Sequence, residues 1–262
     1  MSTLKGTQNN DELFGSSGND TVKAGAGNDR IGTFDGDDVV VAGAGRDVIA
    51  TGNGNDVVIA GRGNDIINAG DGNDYVQADR GDDVVNGGRG ADTLLGGHGD
   101  DTIDGGNGND LIAGGFGDDF IDGGFNADTI IGGQGSDTIL GGRANDILLG
   151  GVGGDSLDGG LADDLLIGGT GSDTLTGGSG SDLFVFFKSK SIDVITDFNI
   201  SKDAIFIAGW DGLSLGISQV PSMFDGNTFK FTGNFGAFTV AFTNGLSKDD
   251  LSGAQFLSDT LV

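Results

Sequence analysis

The chain has 262 residues, of which 55 are Gly, 1 is Pro and none is Cys, and 40 acidic against 13 basic residues give it a net charge of -27. So much Gly with almost no Pro excludes a collagen-like helix, and the lack of Cys excludes a disulfide scaffold, thiol chemistry and a thiolate zinc site. A chain this acidic is repelled by nucleic-acid phosphates and anionic lipid heads, and it attracts cations.

The first ten residues, Met1 to Asn10, hold no apolar stretch of the kind a secretory signal peptide needs. The expectation is a cytosolic chain or one exported by another route. Apolar runs such as Leu183 to Phe187 are too short for a bilayer, so a soluble protein without a membrane span is expected.

From Gly6 to Val185 the sequence repeats. Asp stands at 20 positions with an unbroken spacing of nine: Asp11, Asp20, Asp29, Asp38, Asp47, Asp56, Asp65, Asp74, Asp83, Asp92, Asp101, Asp110, Asp119, Asp128, Asp137, Asp146, Asp155, Asp164, Asp173 and Asp182. Two residues after each Asp comes an apolar residue, from Leu13 and Val22 to Leu175 and Phe184. The unit reads G-G-x-G-x-D-x-U-x, as in Gly105-Gly-Asn-Gly-Asn-Asp-Leu-Ile-Ala113.

A period of nine with one fixed apolar position suits neither a helix at 3.6 nor a long alternating strand. It suits a short x-U-x strand followed by a six-residue turn whose Gly residues supply positive φ angles. Two units then close a coil of 18 residues, with two parallel sheets meeting through a thin core of U side chains. That core is too small alone. Burying one Val, Leu or Ile per unit gives roughly 1.5 to 3 kcal/mol, whereas fixing nine backbones costs about 9 to 18. The coil also stacks each Asp about 4.8 Å from that of the unit after next, so something cationic has to lie along each edge. Calcium fits best, being a hard ion that takes carboxylate and carbonyl oxygens in flexible geometry; magnesium is stricter, and zinc prefers His or Cys.

These units resemble the calcium-binding nonapeptide arrays of the RTX (repeats-in-toxin) family. The resemblance implies an all-β fold, a right-handed parallel β-roll with two nonapeptides per coil over residues 1–185. It also implies that the position-six carboxylates from Asp20 to Asp182, with turn carbonyls, ligate Ca2+ held between units n and n+2. Twenty units allow 20 minus 2, or 18, such pairings at most. Weaker sites are expected where the pattern lapses: at Thr7 and Asn9, at Phe34 and Asp79 in the second Gly position, and at Asn126, Ala144 and Ala162 in place of the Gly before Asp.

Near residue 185 the composition changes: the last 77 residues hold 11 of the 17 Phe, Trp210, Pro221 and only 8 Gly. Thr228–Thr232 and Ala237–Thr243 alternate as strands do, Leu246–Gly253 reads as a turn with one helical turn, and a β-rich cap over 186–262 would cover the open end of a solenoid. Asp193-Val-Ile-Thr-Asp-Phe198 and Asp203-Ala-Ile-Phe-Ile207 resemble elements that follow the repeats in serralysin-type proteases. Asp259-Thr-Leu-Val262 is similar to the tail of substrates of bacterial type I secretion, which implies a secreted, extracellular or cell-surface protein.

Catalytic patterns are absent. His98 is the only His and Glu12 the only Glu, so H-E-x-x-H, a two-His metal site and a Glu pair are excluded. No G-x-S-x-G elbow or P-loop occurs, and no enzyme is expected. The residues flanking U divide between two sheets, and those of the even units are apolar at 15 of 20 positions against 7 in the odd units. The even face includes Val39, Val41, Val57, Ile59, Leu95, Leu111, Ile131, Ile147, Leu149, Leu165 and Ile167. It is expected to meet a second copy, another protein, or part of the C-terminal module. Arg62, Arg80 and His98 share position three of units 7, 9 and 11 and form a basic strip suited to an anionic glycan. The resulting expectation is a non-catalytic calcium-binding protein with a structural, self-assembling role; a calcium-dependent binding or signalling module is the alternative.

Overall fold

The computed structural model describes residues 2–187 and 191–208 and, as backbone, the strands Gly216–Val220, Asn227–Gly233, Gly236–Phe242 and Gln255–Leu257. Among these residues the regular elements are strands, and no helix is long and apolar enough to cross a membrane. They form a parallel β-solenoid of two sheets, one of 13 and one of 14 strands, in which alternate strands of the chain are neighbours. Val84, Val85 and Asn86, for example, pair in parallel with Ile66, Ile67 and Asn68 on one side and Thr102, Ile103 and Asp104 on the other. A coil therefore takes 18 residues, as the period of nine predicts.

The strands are longer than x-U-x. Leu111–Phe116 runs on through Gly114, Gly115 and Phe116, the first three positions of the next unit, and Gly115 pairs with Gly97 and Gly133. The left-handed φ of +120° at Gly115 bends the chain without taking it out of the ladder. The corner shrinks to positions four to six, so the expected six-residue turn is half sheet.

The U side chains from Val22 to Phe184 are buried between the sheets. The first position of each unit lies two residues beyond U and so points inward as well. Ala24, Ala42, Ala60, Ala69 and Ala78 there are fully buried, as are Thr33 and Thr51. The Thr51 hydroxyl donates to the Ala69 carbonyl at 2.7 Å.

The coil also runs beyond the counted repeats at both ends. Ser2 takes the place of an Asp one coil before Asp20, and Leu4 pairs with Val22 as its U residue. Past residue 185, Asp193 and Asp203 carry on the Asp column, and Ile195 and Ile205 pair with Leu175 and Phe184. The change in composition at 185 is no break in the sheets. The strands expected at 228–232 and 237–243 appear as Asn227–Gly233 and Gly236–Phe242, an antiparallel pair extending the larger sheet. Trp210, Pro221, Leu246–Gly253 and Asp259–Val262 lie outside the described residues.

Candidate metal centres

The position-six Asp residues from Asp20 to Asp182 form two columns, one at each edge of the roll where the chain passes between sheets. All 19 are buried, at most 3% exposed. Within a column each backbone N–H donates to Oδ1 of the Asp one coil on: Asp92 to Asp110 at 2.8 Å, and Asp110 to Asp128 at 2.8 Å. The Asp carbonyl in turn accepts the position-seven N–H of the next coil, as Asp92 does from Leu111 at 2.9 Å. One carboxylate oxygen is thus fixed by the backbone.

The other is not. In all 17 units from Asp29 to Asp173, Oδ2 is buried and has no hydrogen-bond partner. Orphaned buried carboxylate oxygens are costly, and the cost appears in their proton affinity. Burial pushes Asp83, Asp92, Asp101, Asp128 and Asp164 up to about 7, with neighbouring carboxylates adding to the effect. It pushes Asp47, Asp74, Asp119, Asp146 and Asp155 up to about 6. Asp20 is the opposite case: N–H groups of Ser16 and Ser2 hold its carboxyl well below the usual range.

Glycine shapes the space around these oxygens. A Cβ on Gly105 would stand 2.7 Å from Asp110 Oδ2 and 2.7 Å from the Gly123 carbonyl. At Gly108, φ is +152° and a Cβ would collide with the Gly90 carbonyl one coil back, so in this turn both conformation and contact favour glycine at position four. Among the described residues no hydrogen bond reaches the position-four carbonyls, such as those of Gly90 and Gly108. No three His, Asp or Glu side chains converge anywhere among those residues, so an ion in these turns has to draw on backbone carbonyls as well as carboxylates. Oxygen-only donors in a Gly-lined turn fit calcium and exclude a site built on nitrogen or sulfur.

The five non-Gly residues at Gly positions keep the turn. Phe34, Asp79, Asn126, Ala144 and Ala162 all have left-handed φ, between +73° and +86°, and Asp128, Asp146 and Asp164 beside the last three retain an orphaned Oδ2. What the lapses in the pattern change there is the residue that carries the left-handed angle.

Position five holds a second ladder that the nine-residue reading overlooked. Asp82 Oδ1 accepts the N–H of Asp100 at 3.1 Å, Asp100 that of Asp118 at 2.8 Å and Asp118 that of Ser136 at 2.7 Å. It runs opposite in sense to the position-six ladder. The preference for Asn or Asp at position five was the available signal, since both offer a short carbonyl or carboxylate acceptor.

Arg62 and Arg80 are adjacent partners across neighbouring strands, followed by His98 and Phe116. The His98 ring stacks on Phe116 at 4.6 Å. On the even face Val39, Leu111, Ile131 and Ile147 stay 39–45% exposed, so no described segment covers them.

The RTX calcium-binding nonapeptide repeat (4 copies) matches residues 5–33, 32–67, 59–94, 86–121, 95–130, 122–157 and 158–185. Among solved structures, the chain is similar to the extracellular lipase LipA from Serratia marcescens, at 19% identity and a TM-score of 0.30. That match covers 94% of this chain and 40% of the lipase, so the chain spans well under half of its length. It is also similar to the AlgE6R3 subunit of the mannuronan C5-epimerase of Azotobacter vinelandii, at 22% identity and a TM-score of 0.17, over 70% of this chain and 80% of that one. No curated protein matches it. With the repeats matched without a gap from residue 5 to residue 185, the chain belongs to the RTX calcium-binding nonapeptide-repeat family.

Proposed function

We propose that this is a secreted, non-catalytic calcium-binding protein that folds on meeting extracellular calcium and then serves a structural, self-assembling role at a cell surface or in a matrix. The observation that carries the reading is the row of 17 buried Oδ2 atoms without a partner. Asp29 to Asp173 would hold the ions through those oxygens together with turn carbonyls, and Asp182 would close the row. Calcium would supply the positive charge that the buried columns lack, and the chain would supply the oxygens and the glycines that leave room for them. Each occupied site adds RT ln(1 + [L]/Kd) to stability, so many weak sites give a steep response to calcium.

Residues 1–185 would form the ion-binding array and 186–262 its cap and export signal, with type I secretion as the route. Self-assembly would use the even face, where eleven aliphatic residues from Val39 to Ile167 make a surface longer than a soluble monomer normally leaves open. Circular dichroism with light scattering during a calcium titration, with magnesium as control, tests the whole reading. Strand formation with larger particles in calcium alone supports it. Strand content that survives exhaustive chelation overturns it.

A second reading takes the chain as a binding module for an anionic glycan along Arg62, Arg80 and His98. It is favoured by the stacking of two arginines in register, whereas Arg89 is ion-paired with Asp71 at 3.5 Å. Folding in calcium without assembly, and retention on a polyuronate column that R62E/R80E abolishes, would support it instead.

A further inference from the structure

The first two turns of the array differ from the 17 that follow. In units 3 to 19 position two is left-handed throughout, whether Gly, Phe34 or Asp79, and the carboxylate Oδ2 is orphaned throughout. In units 1 and 2 position two is Thr7 and Ser16, neither left-handed. Here the position-two N–H turns inward. The Thr7 N–H and hydroxyl lie 2.6 and 2.9 Å from Asp11 Oδ2, and those of Ser16 lie 2.6 and 3.0 Å from Asp20 Oδ2. Asp20 Oδ1 is likewise taken, by the N–H and hydroxyl of Ser2 at 2.6 and 2.8 Å. Even Gly18, a matching residue at position four, is not left-handed, so the whole turn has changed type. The same solution recurs past the repeats, where the Asn199 N–H donates to Asp203 Oδ2 at 2.6 Å.

We infer that the turns of Asp11 and Asp20 are metal-free, with the Thr7 and Ser16 hydroxyl and amide groups standing where calcium stands from Asp29 onward. Asp11 Oδ2 accepts two donors and the Asp20 carboxylate four, and a carboxylate held by as many donors as Asp20 is stabilised as an anion without a counter-ion. An ion could reach Asp20 only by displacing four short hydrogen bonds. Elsewhere the left-handed position-two glycine sends its N–H into the sheet ladder and leaves the oxygen for the ion. A hydroxyl residue in place of that glycine is therefore the local switch between the two kinds of turn. The array would be bracketed by turns that need no ion: Thr7 and Ser16 before it, Asn199 after it. Asp20, a ligand by spacing alone, drops out of the set.

This inference rests on the calcium reading above, and the test separates the two. Native mass spectrometry in saturating calcium counts ions on the full chain and its variants. The expected results are an unchanged count for D20N, a lower count for D110N, and an additional ion for S16G, whose second turn regains the ion-binding type. A lower count for D20N, or an unchanged count for S16G, overturns the metal-free turn. A wild-type count of zero, or no loss with D110N, overturns the calcium reading itself. Where a variant fails to fold, anomalous scattering from calcium-loaded wild-type crystals decides: an ion bound to Asp20 Oδ2 refutes the inference, and ions on Asp29 and beyond but none on Asp11 or Asp20 sustain it.

Discussion

Acid should fold the calcium-stripped chain. Five buried carboxyls are pushed up to about 7 and five more up to about 6, and all ten are at most 3% exposed. Each withdraws on the order of 3 kcal/mol from the ion-free fold at neutral pH. Two to five such groups equal the whole stability margin of an ordinary domain, about 5–15 kcal/mol, so the ionised, ion-free roll should not persist at pH 7. The sign follows from proton counts. Unfolded carboxyls titrate near 4, so between about 4 and 7 the folded chain holds more protons than the unfolded one. Stability therefore falls as pH rises through that window and returns as pH falls. Circular dichroism on protein freed of calcium by gel filtration, in metal-free buffers from pH 8 to 5, should show strand signal growing below about pH 6.5. In saturating calcium the signal should be present across the range, and the calcium midpoint should rise on acidification as protons compete for Oδ2. Ion-free strand content that stays constant from pH 8 to 5, whether high or low, would refute the argument.

Five substitutions probe the core and the frame around the carboxylates. Ala144→Gly and Ala162→Gly remove side chains from φ of +85° and +86° and should each stabilise the calcium-loaded chain by about 1 kcal/mol, seen as a higher melting temperature; no gain would mean the strain is absorbed elsewhere. Gly108→Ala puts a Cβ onto the Gly90 carbonyl at φ +152° and should cost upwards of about 2 kcal/mol. Gly105→Ala, at a position where Ala24 and Ala60 already occur in other units, should cost less in the same melt. Ile112→Ala empties a fully buried U position and should lower denaturant stability in calcium by about 2–5 kcal/mol; a loss below about 1 kcal/mol would show that the U column is not the core.

Much of this fold could be read from the spacing alone, because a solenoid turns one-dimensional period into structure directly. Asp110 and Ile112 recur every nine residues, and in the roll they recur every half coil as carboxylate column and core. The inward position one was also legible in principle. Ala24 lies two residues past Val22, and alternation along a strand sends both to one face. It was missed because the mostly glycine position one offers no side chain to mark it. The extra coils escaped for a different reason. The Asp spacing stretches from nine to eleven at Asp193 and then ten at Asp203, and at the other end Ser2 replaces Asp, so the fixed period that reveals the array hides its continuation.

What spacing could not supply was the state of each oxygen. Asp20 and Asp110 are the same letter in the same frame, yet one is held by four protein donors and the other leaves Oδ2 bare. The difference lies four residues upstream, in Ser16 against Gly106. Glycine there is more than permissive: its left-handed φ of +96° commits the amide to the sheet and withholds it from the carboxylate. Serine is not left-handed there, and its amide and hydroxyl both donate to the carboxylate. In a repeat this regular, the information about which turns need calcium sits in the departures from the consensus, and each departure is read through the backbone angle it permits.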